Sequence, residues 1–212
     1  MIPCMIVPIL KGPETLYRML DTIDYPIRKL IIIDNGDALR HSMGWPVEHV
    51  QATKVIKMPA NLGVAGSWNL GIKADPFAPW WLIANYDVEW PSGSLKAFSE
   101  QSGEGVLLAQ SPQPWSAFAL SEDAVKRVGL FDEGFHPAYF EDNDYEMRCQ
   151  LAGVNITRSQ IPIVHHNSST LQFFAERNNA TFANNADYWE RKRAKPDEGG
   201  WSLERRRVNS WD

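Results

Sequence analysis

Cysteine is nearly missing from this chain: 212 residues carry two, Cys4 and Cys149. They are too few and too scattered for a disulfide framework or a zinc site, and a reducing cytoplasm is the expected setting. No apolar run approaches the roughly 18 residues a membrane-spanning helix needs. No basic segment leads into an apolar one at the start, so neither a signal peptide nor a membrane anchor is expected. An excess of positive charge is also lacking. The net charge of -5 argues against a protein that coats nucleic acid by charge alone. Internal repeats, low-complexity tracts and a clear linker are absent too, so one α/β domain of ordinary size is expected.

What remains is ordinary globular material, 44% hydrophobic and 22% charged, which excludes wholesale disorder. Nine tryptophans are many for this length; they serve either a buried core or aromatic shelves for sugars or bases. Residues 2–10 read as a buried strand and residues 14–23 as a helix, through Leu16, Met19, Leu20 and Ile23. Leu30-Ile31-Ile32-Ile33 is the continuous apolar run of a parallel strand covered on both faces. It stops at Asp34-Asn35-Gly36, a turn signal. Ligands of open α/β sheets gather beyond such strand ends, so Asp34 is either a structural turn residue or a partner for a ribose or base.

Residues 55–58 form a third strand, followed by a glycine-rich loop between Asn61 and Gly71 that opens a helix. Such an element offers free N–H groups to an anion, although tight helix–sheet packing needs the same glycines. It is not a Walker A loop. The strand at 80–84 ends in Asn85-Tyr86-Asp87, where a carboxylate can hold a hard divalent cation. A helix is expected over 93–101 and a strand over 106–110. Ser121 caps a short helix that ends at Gly129. A strand at 161–164 runs into His165-His166, and residues 171–194 read as one helix or two, interrupted near Asn184-Asn185. Beyond Trp189 the basic residues slightly outnumber the acids. They form either a solvated tail or a patch that closes over an anion.

The densest carboxylates lie at 131–148, interleaved with Phe131, Phe135, Tyr139, Phe140 and Tyr145. After Phe140 the pattern turns helical: Tyr145, Cys149 and Ala152 share a face, and Gly153 suits a C-cap. Glu141 and Asp142 then sit at a helix N-terminus, where the macrodipole favours ionised carboxylates. Asp144 and Arg148 are four apart and are expected to pair along the exposed side. The stretch is either a capped helix with an acidic first turn or the seat of a general base facing a pocket.

Two strings in this stretch, Gly129-Leu130-Phe131-Asp132-Glu133-Gly134-Phe135 and Glu141-Asp142-Asn143-Asp144-Tyr145-Glu146-Met147-Arg148, resemble the GT-A glycosyltransferases, most closely family 2. The resemblance covers roughly residues 1–170. It implies a GT-A, Rossmann-like α/β/α sandwich with a mostly parallel central sheet, and leaves 171–212 as a C-terminal helical extension and tail. In that family the second acid of the E-D pair takes the acceptor's proton, which maps onto Asp142 with Glu141 beside it. The family's V-D-N-G/S falls on Asp34, a nucleotide-base contact. Its N-x-G-x-x-x-x-x-N-x-G pattern, beside the diphosphate, is carried by Asn61, Gly63, Asn69 and Gly71. Its D-x-D stands as Asn85-x-Asp87, which makes Asp87 the metal ligand and Asn85 a nucleotide contact or outer neighbour of the metal. Pro8, Leu10 and Tyr86 join the nucleotide-sugar side, and Trp115 and Asp144 the acceptor side, with a core role for Trp115 as the alternative. The family's strand-end histidine ligand corresponds to His165, which keeps Ser168 and Thr170 in step, with His166 as alternate.

The resemblance thus implies a metal-dependent, inverting transfer of a sugar, using Mn2+ or Mg2+, from a nucleotide diphosphate to a hydroxyl. UDP and dTDP are the expected nucleotides. The acceptor is left open among a protein side chain, a small molecule and a hydroxylated DNA base. Two rivals are a binding module without turnover, favoured by Asn85 in place of an acid, and a sugar-1-phosphate nucleotidyltransferase. The latter would need a basic glycine-rich loop after the first strand, and Lys11-Gly12-Pro13 is a poor version of it.

Overall fold

The computed structural model describes residues 1–39, 46–166 and 175–194, with backbone alone for 175–179. The chain begins β1 (Met5–Ile9), α1 (Pro13–Asp21), β2 (Ile27–Asp34), β3 (Val50–Lys57), α2 (Gly63–Ala74), β4 (Trp80–Ala84) and β5 (Val88–Glu89). It continues through α3 (Ser94–Gln101), β6 (Val106–Gln110), a 3-10 turn at Pro114–Ser116, β7 (Ala117–Ser121), α4 (Glu122–Val128) and α5 (Glu141–Ala152). β8 (Ile156–Pro162), β9 (Val164–His165) and α6 (Ala175–Arg193) follow.

Seven strands form one sheet in the order β3-β2-β1-β4-β7-β6-β8, and β5 pairs with β9 in a second, two-stranded one. Only β7 runs antiparallel to its neighbours in the large sheet. Alternation along the strands divides the core, because successive side chains point to opposite faces. Met5, Val7 and Ile9 join Leu30, Ile32 and Leu82 under Leu16 and Met19 of α1 and Leu95 and Phe98 of α3. Ile6, Ile31, Ile33 and Ile83 pack instead against Trp68 and Ile72 of α2, Val125 of α4 and Tyr145 and Cys149 of α5. Each fully buried aliphatic side chain of this kind contributes about 1.5–3 kcal/mol relative to exposure. The result is a three-layer α/β/α sandwich, and it is the GT-A fold the sequence implied.

Gly71 is fixed by this packing. A β-carbon there would stand 2.3 Å from Ile6 Cγ2, so α2 approaches β1 more closely than any other residue allows. Ser121 caps α4 as expected, its Oγ accepting from the Ala124 amide at 3.1 Å, and Gly153 ends α5 at φ 63°.

Two expectations need correcting, and one left open between alternatives is decided. The strand expected at 161–164 is two, β8 and β9, broken at Ile163. Residues 175–193 form one uninterrupted helix, because the Asn185 amide is buried and donates to the Ala138 carbonyl at 2.7 Å. Asp144 and Arg148 do pair, at 2.8 Å, but inside the protein: their side chains are 0% and 5% exposed. The basic run is also changed, since Lys192 is buried between Asp132 and Asp144. Residues 195–212, Ser168 and Thr170 lie outside the described residues. Among the described residues, no helix is long and apolar enough to cross a membrane.

Candidate active site

The parallel strands β1, β2, β3 and β4 deliver their C-terminal ends to one edge of the sheet, and the antiparallel β7 starts there. Asn85, just past β4, donates its amide to the Ser116 carbonyl at 2.8 Å. The tip of β4 is thereby tied to the 3-10 turn carrying Trp115 and, one residue ahead of it, Gln113.

At this tip β5 pairs antiparallel with β9, setting Val88 opposite His165 and Glu89 opposite Val164. The His166 amide donates to the Asp87 carbonyl at 3.1 Å. His165 Nε2 consequently lies 3.2 Å from Asp87 Oδ1, with both side chains 10% exposed or less. The second histidine turns elsewhere, to Glu89 Oε1 at 2.9 Å. Gln113 Oε1 lies 3.3 Å from the other ring nitrogen of His165, Nδ1.

A divalent cation fits this pair of donors. Two ligands on adjacent corners of an octahedron with bonds of about 2.1 Å stand about 3 Å apart, close to the separation found. Carboxylate oxygen and imidazole nitrogen are suitable donors for manganese. Among the described residues no group of three or more His, Cys, Asp or Glu is clustered for a metal. The pair therefore suits an ion that completes its shell with water and substrate phosphates.

The second candidate group is the segment from Phe131 into α5, which meets the 3-10 turn beside the tip where Phe131 and Tyr145 pack on Trp115. Phe131 stacks on Tyr145, ring centroids 4.2 Å apart, and the fully buried Tyr145 donates its hydroxyl to the Gly129 carbonyl at 3.1 Å. Asn69 on α2 bonds the same segment three times, to both backbone groups of Phe131 and to Glu133 Oε1. Tyr139 and Phe140 both take left-handed backbone, φ 80° and 72°, immediately before Glu141.

Glu141 is buried, and its Oε2 has no hydrogen-bond partner among the described residues. Burial, with the neighbouring Asp142 carboxylate, pushes its carboxyl up to about 8. Asp142 is half-buried and accepts the Asn143 amide at 2.8 Å. Burial also raises its pKa, the Glu146 charge adds to that, and local amides oppose it. A carboxylate with a raised pKa at a helix start is a stronger proton acceptor than a solvated one.

Several expected ligand-facing residues are engaged inside the protein. Asp34 is 0% exposed, and its carboxylate accepts the amides of Gly36, Ala38 and Leu39, shaping the loop after β2. The anion cradle expected at the start of α2 is filled. The Leu62 amide donates to Asn35 Oδ1, Gly63 to Asn61 Oδ1 and Val64 to the Pro137 carbonyl, all within 3.1 Å. Asn69 holds the 131–133 segment, and Tyr86 is buried in the core. Trp115 is 8% exposed and packs edge-on to Phe118, Phe131 and Tyr145, which favours its core role. Asp144, expected on the acceptor side, is fully buried against Arg148 and Lys192. Pro8 and Leu10 remain half-buried at the end of β1, beside the tip. Sequence reasoning missed Gln113, Asn185, Tyr188 and Lys192, whose roles depend on partners distant in the chain.

Fold and site together describe a GT-A scaffold with an acid pair on α5 and a histidine–aspartate pair at the tip of β4. No protein-family model matches the chain. A "galactofuranosyl glycosyltransferase" of Leishmania donovani is 34% identical over 98 residues, 45% of this chain and 22% of that protein. Among solved structures, the mannosyltransferase PcManGT from Pyrobaculum calidifontis, in complex with GDP-Man and Mn2+, superposes with a TM-score of 0.57 at 15% identity, covering 74% of this chain and 54% of that one. S. aureus TarS 1–349 in complex with UDP-GlcNAc gives 0.59 at 17% identity, over 76% and 57%. The catalytic domain of Drosophila beta1,4galactosyltransferase 7 with xylobiose gives 0.56 at 13% identity, over 78% and 70%. The chain thus spans about a fifth of the curated relative, 22%, and about half of PcManGT, 54%.

Proposed function

We propose that this chain transfers a sugar from a nucleotide diphosphate to a hydroxyl acceptor, inverting the anomeric carbon in one displacement. The observation that carries this reading is the meeting of Asp87 and His165, which the β5–β9 pairing brings to 3.2 Å at the end of a parallel strand. A hard cation held there would neutralise charge on the leaving diphosphate. Asp142, with its raised pKa, accepts the proton of the attacking hydroxyl as the new glycosidic bond forms. Glu141 stays neutral at pH 7 and keeps a second negative charge away from the incoming donor. Asn85, Pro8 and Leu10 are assigned to the nucleotide side, since ligands of open α/β sheets gather beyond the C-terminal ends of the strands. The similar proteins are named for galactofuranosyl, mannosyl and galactosyl transfer, and their complexes hold GDP-Man or UDP-sugars. A uridine or guanosine diphosphate sugar is therefore the donor class to test first, with dTDP-sugars beside it.

The test is a hydrolysis and transfer assay with a panel of sugar nucleotides, with and without Mn2+. Release of nucleoside diphosphate from one of them, dependent on metal and on the Asp142 carboxylate, is the expected result. Tight binding of a sugar nucleotide with no release under any condition would replace the enzyme by a binding module.

A further inference from the structure

A lysine side chain only 5% exposed is unusual, because an ammonium leaves water at high cost unless it is closely paired. Lys192 meets that condition with two carboxylates. Its Nζ lies 2.6 Å from Asp132 Oδ2 and also contacts Asp144 Oδ1. These acids flank the proposed base. Asp132 stands at the start of the loop that leads to α5, and Asp144 is two residues past Asp142. Each is anchored again: Asp132 by the Tyr188 hydroxyl at 2.9 Å and the Gly134 amide at 2.8 Å, Asp144 by Arg148 Nε at 2.8 Å. The Lys192 ammonium and its neighbours hold Asp132 below the usual carboxylate range despite its burial.

Between these two ends, the same helix grips the loop's middle. The Asn185 amide donates to the Ala138 carbonyl, and the Phe182 ring lies 5.4 Å from Tyr139 and 5.1 Å from Phe140. Tyr139 and Phe140 are the two residues of this loop in left-handed conformation, a state that persists only where the surroundings over-determine it. Phe135 packs on Tyr188, centroids 4.7 Å apart.

We infer that Lys192 is a positioning residue for the Asp142 base: by bridging Asp132 and Asp144 it closes both ends of the segment carrying the acid pair, so α6 is part of the machinery. This rests on the proposed transferase reading. It makes α6 the element that sets where the acceptor's proton goes, while the donor site at the tip of β4 is built without it.

The test is Lys192→Met, alone and combined with Asp142→Asn, using the donor found active above. In the otherwise unaltered chain, kcat is expected to fall at least about tenfold while KM for the sugar nucleotide moves less than about threefold. In the Asp142→Asn background the same change is expected to alter single-turnover rate less than about twofold, since residues acting as a unit are non-additive. Equal losses in both backgrounds, or a loss confined to KM, would overturn the inference. Tyr188→Phe is the milder second variant and carries the same kcat-against-KM split should Lys192→Met fail to fold. Amide hydrogen exchange without substrate separates the two claims. Faster exchange across 132–144 in the Lys192→Met or Tyr188→Phe chain is expected if the clamp holds that segment, and unchanged exchange would overturn it. Absence of any transfer by the unaltered chain would sink the functional reading instead.

Discussion

The two carboxylate-bearing regions of the site are held in opposite ways. The tip carrying Asp87 and His165 is organised by backbone: a two-residue strand pair and the bond from the His166 amide to the Asp87 carbonyl fix the side chains. The segment carrying Glu141 and Asp142 is organised by side chains reaching in from elsewhere, Asn69 from α2 and Asn185, Tyr188 and Lys192 from α6. A backbone-built tip is expected to tolerate side-chain replacement nearby and to lose the proposed chemistry only when Asp87 or His165 is changed. A segment built by side chains loses its geometry when any of several distant residues is changed. Of the acids in its motif, Asp132 and Asp144 are tied to Lys192, Glu133 to Asn69 and Glu146 to Arg158, which leaves Glu141 and Asp142 as the candidates for chemistry.

The sharpest break is at the base. Asp142→Asn is expected to lower turnover by about two to four orders of magnitude, with donor affinity retained, as measured by initial rates and calorimetric titration of the sugar nucleotide. Because burial raises the Asp142 pKa, kcat in the unaltered chain should rise with pH along a limb above the ordinary aspartate range. Full activity of the Asn variant would move the base elsewhere.

Glu141 tests the burial of that segment through stability. It ionises near 4.5 in the unfolded chain and near 8 in the fold. Between those values the folded state holds a proton that the unfolded state has lost, so stability falls as pH rises from about 4.5 to about 8. Glu141→Gln does not titrate. It should melt near the unaltered chain around pH 4.5 and be more stable above pH 8, by on the order of 5 kcal/mol. Parallel melting-against-pH curves for the two proteins would mean that Glu141 is solvated.

At the tip, Asp87→Asn or His165→Ala should weaken Mn2+ binding by about two orders of magnitude, read by calorimetry on the free protein. That scale lies at the upper end of the 10- to 100-fold typical of residues that only support a ligand. His166→Ala should not do so, since its ring faces Glu89. Equal losses from both histidines would mean that the doublet shares the ion.

Much of this was legible in the residues because it depends on neighbours in sequence. The apolar run at 30–33, the Ser121 cap and the Gly153 stop are set within a few residues. The tip was legible from Asp87 and a strand-end histidine, and the β5–β9 pairing separates His165 from His166. What could not be read is which acids turn inward. Asp144 and Arg148 at helical spacing look like a surface pair until Lys192 arrives from α6 to share Asp144 and pair with Asp132, so that two cations and two carboxylates balance inside the protein. Asn185 left one helix or two open for the same reason. Asparagine is a poor helix former, but the bond from its side chain to the Ala138 carbonyl compensates. The glycines around Asn61 look alike whether they cradle a phosphate or the Pro137 carbonyl; only the path of the 136–137 loop decides.

The smallest expected effect is at Gln113, and it measures how far the backbone alone builds the tip. Its Oε1 lies 3.3 Å from His165 Nδ1, a long bond in an exposed setting. A second partner on a ligating imidazole fixes which nitrogen carries the proton and commonly contributes 10- to 100-fold in metal affinity. Here the ring is already directed by the register that sets His165 opposite Val88. Gln113→Ala should therefore weaken Mn2+ binding by no more than about tenfold, the lower end of that range. Asn69→Ala in the acid segment should do the reverse. It removes three bonds to 131–133 and should lower the melting temperature while leaving Mn2+ affinity within about twofold, because additive sites do not share partners. A loss of a hundredfold at Gln113 would show that the tip, too, depends on side chains reaching in from other elements.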